Sequence, residues 1–562
     1  MPAPLSDAVI RFEPDGFDLN RPWLLGRQSA GHSFLRAAVE GRGEGPVFGY
    51  TAFSSSAEMF RGMVRGFDPA AEPTWIPAQF LERVGASRGV LYLSDPSLTA
   101  FARLRQRVGP ASYSLCGVTH TLATAGTQQM IADLLSEAVM PWDALICTSN
   151  AALETVRRVL AAQIDFLHWR FGRGAQLRLP QLPVIPLGVH CRDFAFSTDE
   201  KATARQALGL APDEVAALYV GRLVYAGKAH PFPMFQGLQA AAEQSGKKIA
   251  LILCGRAPNQ PLAETYLAGA ARHAPDVRIL SVDSTADESR RQAWAAGDIF
   301  VSLAEGIQET FGLTPLEAMA AGLPAVVTDW NGYRETVRDG IDGFRIDTWA
   351  PQPSASGAAY ALRQELELIE YDNYCWAAAS TTSVDIRQLA DRLVALVTQP
   401  DLRRRMGDAG QARAREVFDW RHIFKRYQAL WGDLNARRVA AADNPEERAW
   451  AQATPRIPSS RLDPFESFGH YPTAQIRPDT MVTLAPGATL EICRERLADP
   501  LFPYINAPDA LTVPAWAALQ GGPVTVATLA TATDLSTPWA FVFIGALAKM
   551  GLVRLDQAAG EK

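Results

Sequence analysis

The sequence predicts an α/β chain built on parallel, doubly wound sheets, and three observations predict it. Short apolar runs of strand length alternate with amphipathic segments of helix length. Charged or glycine-containing loops follow several of those runs, at the positions where open α/β sheets bind ligands. The length, 562 residues, exceeds what one core organises and predicts about three domains.

Composition narrows the class. Hydrophobic residues are 48% and charged residues 20% of the chain, which is ordinary for a globular protein. The net charge of −6 gives no global electrostatic reason to expect nucleic acid. Cys116, Cys147, Cys191, Cys254, Cys375 and Cys493 are scattered, without a C-x-x-C pair. They read as buried thiols in a reducing compartment, not as a disulfide framework or a zinc site. The opening MPAPLSDAVIRFEPDGFD lacks the basic-then-apolar pattern of a signal peptide. The late apolar run Pro538–Ala548 is too short to span a bilayer. A cytoplasmic location is expected, with peripheral attachment to the inner membrane face left open.

In the first domain, expected over residues 1–190, a turn at Gly26–Gly31 precedes a helix from His32 to Val39. A glycine loop at a helix start lets backbone approach a ligand, which makes Gly31 a candidate. Strands are expected at Pro46–Phe53, Gly89–Ser94 (GVLYLS), Ser112–Thr119, Ala144–Ser149 and Val184–Val189. Helices are expected at Ala57–Arg65, Ser97–Arg107 and Asn150–Leu167. His120 directly follows a strand, a position where α/β sites form. The segment Arg157–Arg178 mixes five arginines with Phe166, Trp169 and Phe171. It reads as a solvated helix face with its aromatics packed inward, or as a contact for a membrane surface or an anionic acceptor.

The second domain, expected over residues 191–438, opens with helix Lys201–Leu208 and strand Ala216–Val220. Gly221-Arg222-Leu223 and then Lys228 follow. A planar guanidinium and a compact ammonium after a strand both suit phosphate oxygens, although an exposed Arg is often just solvated. Further strands are expected at Ile249–Gly255, Val277–Leu280, Ile299–Ala304 and Ala325–Thr328, with helices at Leu262–Ala271 and Ser289–Ala296. An insertion rich in Pro, Ala and Tyr is expected over Trp349–Ser380. Helices follow at Val384–Thr398, Asp401–Arg415 and Asp419–Arg438.

The block Glu305–Phe344 (EGIQETFGLTPLEAMAAGLPAVVTDWNGYRETVRDGIDGF) holds the densest chemistry. Thr314 reads as an N-cap, with Pro315 at the first helical position and Glu317 three residues after the cap. The helix Pro315–Ala321 stops at Gly322. Unpaired N–H groups at Gly312–Leu316 attract an anion. Glu309 and Glu317 flank that start and suit sugar or ribose hydroxyls, while Glu317 also fits a capping box.

From Val439 the composition turns to Ala, Pro, Arg and Glu, like a linker over residues 439–480. The remainder, 481–562, reads as helices Leu511–Gln520, Val526–Ala532 and Thr537–Met550 plus strand Gly551–Leu555. That order is winged-helix-like. Thr537–Met550 carries only Lys549, so an interaction or oligomerisation module is expected rather than DNA binding.

Glu309, Phe311-Gly312-Leu313, Glu317-Ala318-Met319-Ala320, Gly332, Glu335, Asp339-Gly340 and Gly343 together resemble the E-x7-E block of glycosyltransferase family 4. Gly221-Arg222-Leu223 with Lys228 is similar to that family's G-R-L-x-x-x-K element, with one extra residue. The resemblance covers about Gly89–Arg438. It implies a GT-B fold of two Rossmann-like domains facing a cleft, with the last helix crossing back to the first. It further implies a retaining enzyme that moves a hexose-type sugar from a UDP- or GDP-sugar to a glycan, lipid-linked or other hydroxyl acceptor, in bacterial polysaccharide or glycoconjugate synthesis. Arg222 and Lys228 would then stabilise the leaving diphosphate, and Glu309 would hold sugar hydroxyls. Glu317 would hold the ribose, and His120 would lie near the sugar. Gly31, Gly221, Phe311, Gly312, Leu313 and Thr314 would line the donor. No Asp-x-Asp occurs, so a metal-independent enzyme without a cofactor is expected, its cations and helix start replacing the metal. A nucleotide-sugar epimerase and a non-catalytic nucleotide-sugar-binding protein are the alternatives.

Overall fold

The computed structural model describes residues 5–20, 26–174, 177–225, 227–503, 505 and 507–556. Residues 1–4 of the opening segment and Ala226, within Gly221–Lys228, therefore lie outside the described residues. The chain divides into two compact units, Met1–Pro458 and Ser459–Lys562.

The larger unit contains two lobes. In the first, β1 (Val9–Arg11), β2 (Val47–Thr51), β3 (Pro73–Pro77), β4 (Val90–Tyr92), β5 (Ser114–Val118) and β6 (Ala144–Ile146) form a sheet of order β3-β2-β1-β4-β5-β6. In the second, β7 (Val215–Val220), β8 (Ile249–Cys254), β9 (Val277–Val282), β10 (Ile299–Ser302), β11 (Ala325–Thr328) and β12 (Gly343–Ile346) run β12-β11-β10-β7-β8-β9. Both are the doubly wound order with one reversal point, and every pairing in them is parallel. Helices cover both faces, so β5, β7 and β8 are apolar at nearly every position and wholly buried. This is the GT-B architecture.

Sequence expectations fail in physically specific places. The central strand β1 has three residues and β3 begins and ends in Pro, so neither shows a strand pattern. Strand β12 and the helix Pro231–Ser245 were also not anticipated. Val184–Val189 is not a strand of the sheet. It meets its edge through an isolated parallel bridge, Cys147 to Val184, because Pro183 and Pro186 interrupt a ladder there.

The long helix Trp420–Asp443 leaves the second lobe and packs Trp420, Phe424, Tyr427 and Trp431 into the first lobe's core with Phe34 and Tyr92. The Phe34 and Tyr92 rings stack at 4.2 Å between centroids. Two chain crossings join the lobes side by side. The Val189 N–H donates to the Phe418 carbonyl at 2.9 Å, and the Trp420 N–H donates to the Val189 carbonyl at 3.1 Å. The linker expected from residue 439 begins later. The helix runs through Asp443, Pro445–Gln452 is helical, and Ala451 packs with Met140 and Trp142. All six cysteines are buried.

The smaller unit pairs Met481–Leu484 antiparallel with both Val524–Thr525 and Val553–Asp556. Helices Asp509–Gln520, Val526–Ala532 and Thr537–Lys549 close around Trp516, Leu529, Phe543 and Leu547. The winged-helix-like order holds, with Met481–Leu484 as the middle strand of its sheet.

Candidate functional site

In the second lobe the strand order reverses between β7 and β10, and the crevice beyond their carboxyl ends is where such a sheet takes a ligand. Gly221-Arg222 leaves β7 there and the loop 303–312 leaves β10. Lys228 Nζ lies 3.1 Å from Glu309 Oε2. Burial pushes the Glu309 carboxyl up. Lys228, with the N–H groups of Phe311 and Thr310, more than offsets this and holds it below its ordinary value. Glu309 is therefore ionised at neutral pH. The Arg222 guanidinium has no ion pair among the described residues, and its carbonyl accepts from the Tyr219 hydroxyl at 3.1 Å.

The loop between the glutamates is braced from behind. Asn331 Nδ2 donates to the Glu309 carbonyl at 3.0 Å, and Trp330 Nε1 donates to the Gly306 carbonyl at 3.1 Å. Tyr333 is buried, its hydroxyl 3.0 Å from Ser302 Oγ. Gly312 has φ +84°, and a Cβ on it would lie 2.0 Å from Tyr333 Cε1. Only glycine fits both the backbone angle and that contact.

The expected capping box is absent, which corrects the reading of Thr314. Gly312 is the N-cap of the helix Leu313–Ala320, no side chain caps it, and Thr314 lies inside the first turn. The positive φ of Gly312 turns the chain one residue pair earlier than Thr314 could. Pro315 is thus the third helical residue, and Glu317 is freed from the capping duty that would have explained it. Its carboxyl is pushed up to about 7 by burial, against the attraction of Arg290 and Lys228. The stop is as expected, with Gly322 at φ +77°.

Two groups of this crevice were missed. Glu305 is 3% exposed and accepts the His230 N–H at 3.0 Å. Burial raises it to about 7, and the His230 N–H works against this. Its signal was a carboxylate at the end of an apolar strand. His230 caps the helix Pro231–Ser245, its Nδ1 accepting from Phe232 N–H at 3.3 Å.

On the first lobe, His120 follows β5 as expected. Its Nε2 lies 2.7 Å from the Ser94 carbonyl, so that nitrogen is the donor and Nδ1 is the acceptor of the neutral ring. Burial lowers its pKa, with the Ser94 carbonyl and Asp95 opposing. The glycine turn expected at Gly26–Gly31 is corrected. Gly31 lies inside the helix Gly26–Glu40, where a Cβ would meet the Gly16 carbonyl oxygen at 2.1 Å. It permits close packing of helix on loop rather than forming a loop itself.

The lobes touch around the site. Ser149 Oγ donates to the Thr310 carbonyl at 2.8 Å. Asn150 N–H and Nδ2 donate to the two Glu335 carboxylate oxygens at 2.6 and 2.8 Å. Glu335 thereby sits on the N-terminus of the helix Asn150–Phe171, a favourable place for an anion. Further along that helix the inward-packing expectation is corrected. Phe166, Trp169 and Phe171 are 50, 75 and 71% exposed. After Leu160 only Leu167 is buried, so the helix's last turns have little of the lobe beneath them.

Residues 200–379, within the second lobe, match the family model described as Glycosyl transferases group 1. An alpha-maltose-1-phosphate synthase of Mycolicibacterium smegmatis is 27% identical over 242 residues, 42% of this chain and 52% of that protein. A D-inositol 3-phosphate glycosyltransferase of Xylanimonas cellulosilytica is 28% identical over 221 residues, 38% of this chain and 47% of that one. The chain thus spans about half the length of the curated relatives it matches. Among solved structures, HepE of Anabaena in complex with UDP is 15% identical. Its alignment covers 78% of this chain and all of that one, with a TM-score of 0.46.

Proposed function

We propose that this chain, with its glycosyl transferases group 1 lobe, is a retaining glycosyltransferase. It takes a hexose-type sugar from a UDP- or GDP-sugar to a hydroxyl acceptor, a glycan or lipid-linked saccharide, as in the synthesis of bacterial polysaccharide or glycoconjugates. The observation that carries the reading is the Lys228–Glu309 pair at 3.1 Å beside Arg222 and the start of helix Leu313–Ala320, at the reversal point of the sheet.

The chemistry follows from those charges. The bond from the sugar's anomeric carbon to the diphosphate breaks as the bond to the acceptor oxygen forms on the same face. The acceptor proton passes to the departing phosphate oxygen. Negative charge grows on that phosphate, and Arg222, Lys228 and the N–H groups of Gly312, Leu313 and Thr314 oppose it. Lys228 has three donors, so it can hold Glu309 and a phosphate together. Ionised Glu309 accepts from sugar hydroxyls, and Glu317 accepts from the ribose. Gly221 and Phe311 bound the donor. His120, neutral, accepts at Nδ1 near the sugar. The cations occupy the role a metal ion would fill, so a chelator is expected to leave the rate unchanged. The outward Phe166, Trp169 and Phe171, with Arg170 over the Phe171 ring, support peripheral contact with an anionic membrane face, where a lipid-linked acceptor is met.

The test is a donor screen read by nucleotide release, with Arg222→Ala and Glu309→Ala beside the wild type. Release that both variants leave unchanged would refute the site. Interconversion of the donor sugar without acceptor would favour an epimerase instead.

A further inference from the structure

The helix Tyr371–Ala379 belongs to the insertion, whose base is the antiparallel pair Thr348–Trp349 with Ser383–Val384. The other insertion helix, Ala355–Glu365, buries no residue. Tyr371–Ala379 touches both lobes. The Tyr371 hydroxyl is 3.1 Å from Thr121 Oγ1, one residue past His120 in the first lobe. On the second lobe, Trp376 packs on His230 with centroids 5.8 Å apart and planes at 27°, and on Tyr225 at 5.8 Å and 41°. Tyr225 in turn stacks on Tyr266 at 5.2 Å and 10°. Tyr225 and His230 flank Lys228 in sequence. Five helical residues rise about 7.5 Å, so a single helix bridges the wall that bears His120 and the wall that bears Lys228.

A bridge of this kind fixes what can enter. It crosses between the two walls where the proposed reaction takes place. A polymer laid along the cleft would have to pass it, whereas a small molecule or a short end meets only the walls themselves. The bridge is also held by contacts that cost little to remove singly: one hydroxyl pair and aromatic faces.

We propose that the insertion 349–382 is the acceptor-selecting wall of this cleft, with Tyr371 and Trp376 as its specificity-determining residues. The acceptor is then a small hydroxyl compound or the exposed end of a short saccharide, not the interior of a long chain. This inference rests on the transferase reading above.

The test uses the full chain and an acceptor series of one terminal sugar at one, two, four and eight units. Turnover is read as nucleotide release, with kcat and KM taken separately. Wild type is expected to favour the short acceptors. In Trp376→Ala, and in a variant with residues 351–381 replaced by a short Gly-Ser linker, the ratio of kcat/KM for long over short acceptors should rise about tenfold or more. Tyr371→Phe, which removes only one hydroxyl, should raise it less, through KM. Leu362→Ser, on the exposed helix, serves as the control for altering the insertion's surface. A ratio unmoved in Trp376→Ala and Tyr371→Phe, with turnover intact, overturns this inference alone. No donor-dependent release from wild type overturns the transferase reading and this inference together.

Discussion

The two lobes share a strand order and differ in what occupies their reversal points. In the first, an ion pair of the protein's own spans the gap between β1 and β4. Arg11 from β1 pairs with Asp95, beyond β4, at 3.0 Å, and Asp95 also accepts the Ser97 N–H at 2.9 Å. The equivalent gap in the second lobe, between β7 and β10, is lined by Arg222, Lys228, Glu305 and Glu309. There Lys228 pairs with Glu309 and Glu305 accepts the His230 N–H, while the Arg222 guanidinium has no ion pair among the described residues. One topology thus provides a crevice spanned by an ion pair and one lined by four charged groups. The first lobe contributes a neutral histidine and a wall, and the second contributes the field.

The sharpest way to break this comparison is to remove a charge from each side. Arg222→Ala is expected to cut kcat/KM about 10²–10³-fold. His120→Ala should cost about tenfold to a hundredfold, since neutral positioning contributes less than charge neutralisation. Steady-state nucleotide release decides it, and a larger loss at His120 would reverse the division of labour. Next is Gly312→Ala, which must relieve both a positive φ and the 2.0 Å contact with Tyr333. It should lower stability by about 2–3 kcal/mol in denaturant titration.

The two raised carboxyls give pH tests. Glu305 rises from 4.5 to about 7 in the folded chain, so the folded state binds the extra proton. Its contribution to stability is therefore full below pH 4.5, falls as the pH rises through 7, and is level above it. The span is about 3 kcal/mol. Glu305→Gln should flatten the melting temperature between pH 5 and 8. Glu317 is raised to about 7 as well, and an ionised carboxylate is the better acceptor for ribose. Donor affinity should fall at most about tenfold from pH 8 to pH 6, a slope that calorimetry should find absent in Glu317→Gln.

Much of this was legible in the sequence because the signals were local. The buried strands β5, β7, β8 and β11 are continuous apolar runs, and Glu309, Lys228 and the glycine at 312 stand in a recognisable spacing. What was not legible depends on partners distant in sequence. Strand β1 is three residues long and is a strand only because β2 and β4 flank it. Thr314 looks like a cap until the φ of Gly312, set by packing on Tyr333, moves the helix start. Glu305 and His230 are separated by 75 residues and meet only in the crevice. Trp376 is unremarkable in a Pro- and Ala-rich insertion until the fold brings His230 beneath it.

The helix Trp420–Asp443 has a consequence for the order in which the protein is made. Its aromatic face completes the first lobe's core, so that lobe is discontinuous in the chain and the second lobe is inserted within it. During synthesis the first lobe's layer around Phe34 and Tyr92 stays uncovered until residues near 434 have left the ribosome, by which time the whole second lobe has emerged. The lobe translated first is the one finished last, and its exposed aromatic surface is what a chaperone would meet in the interval.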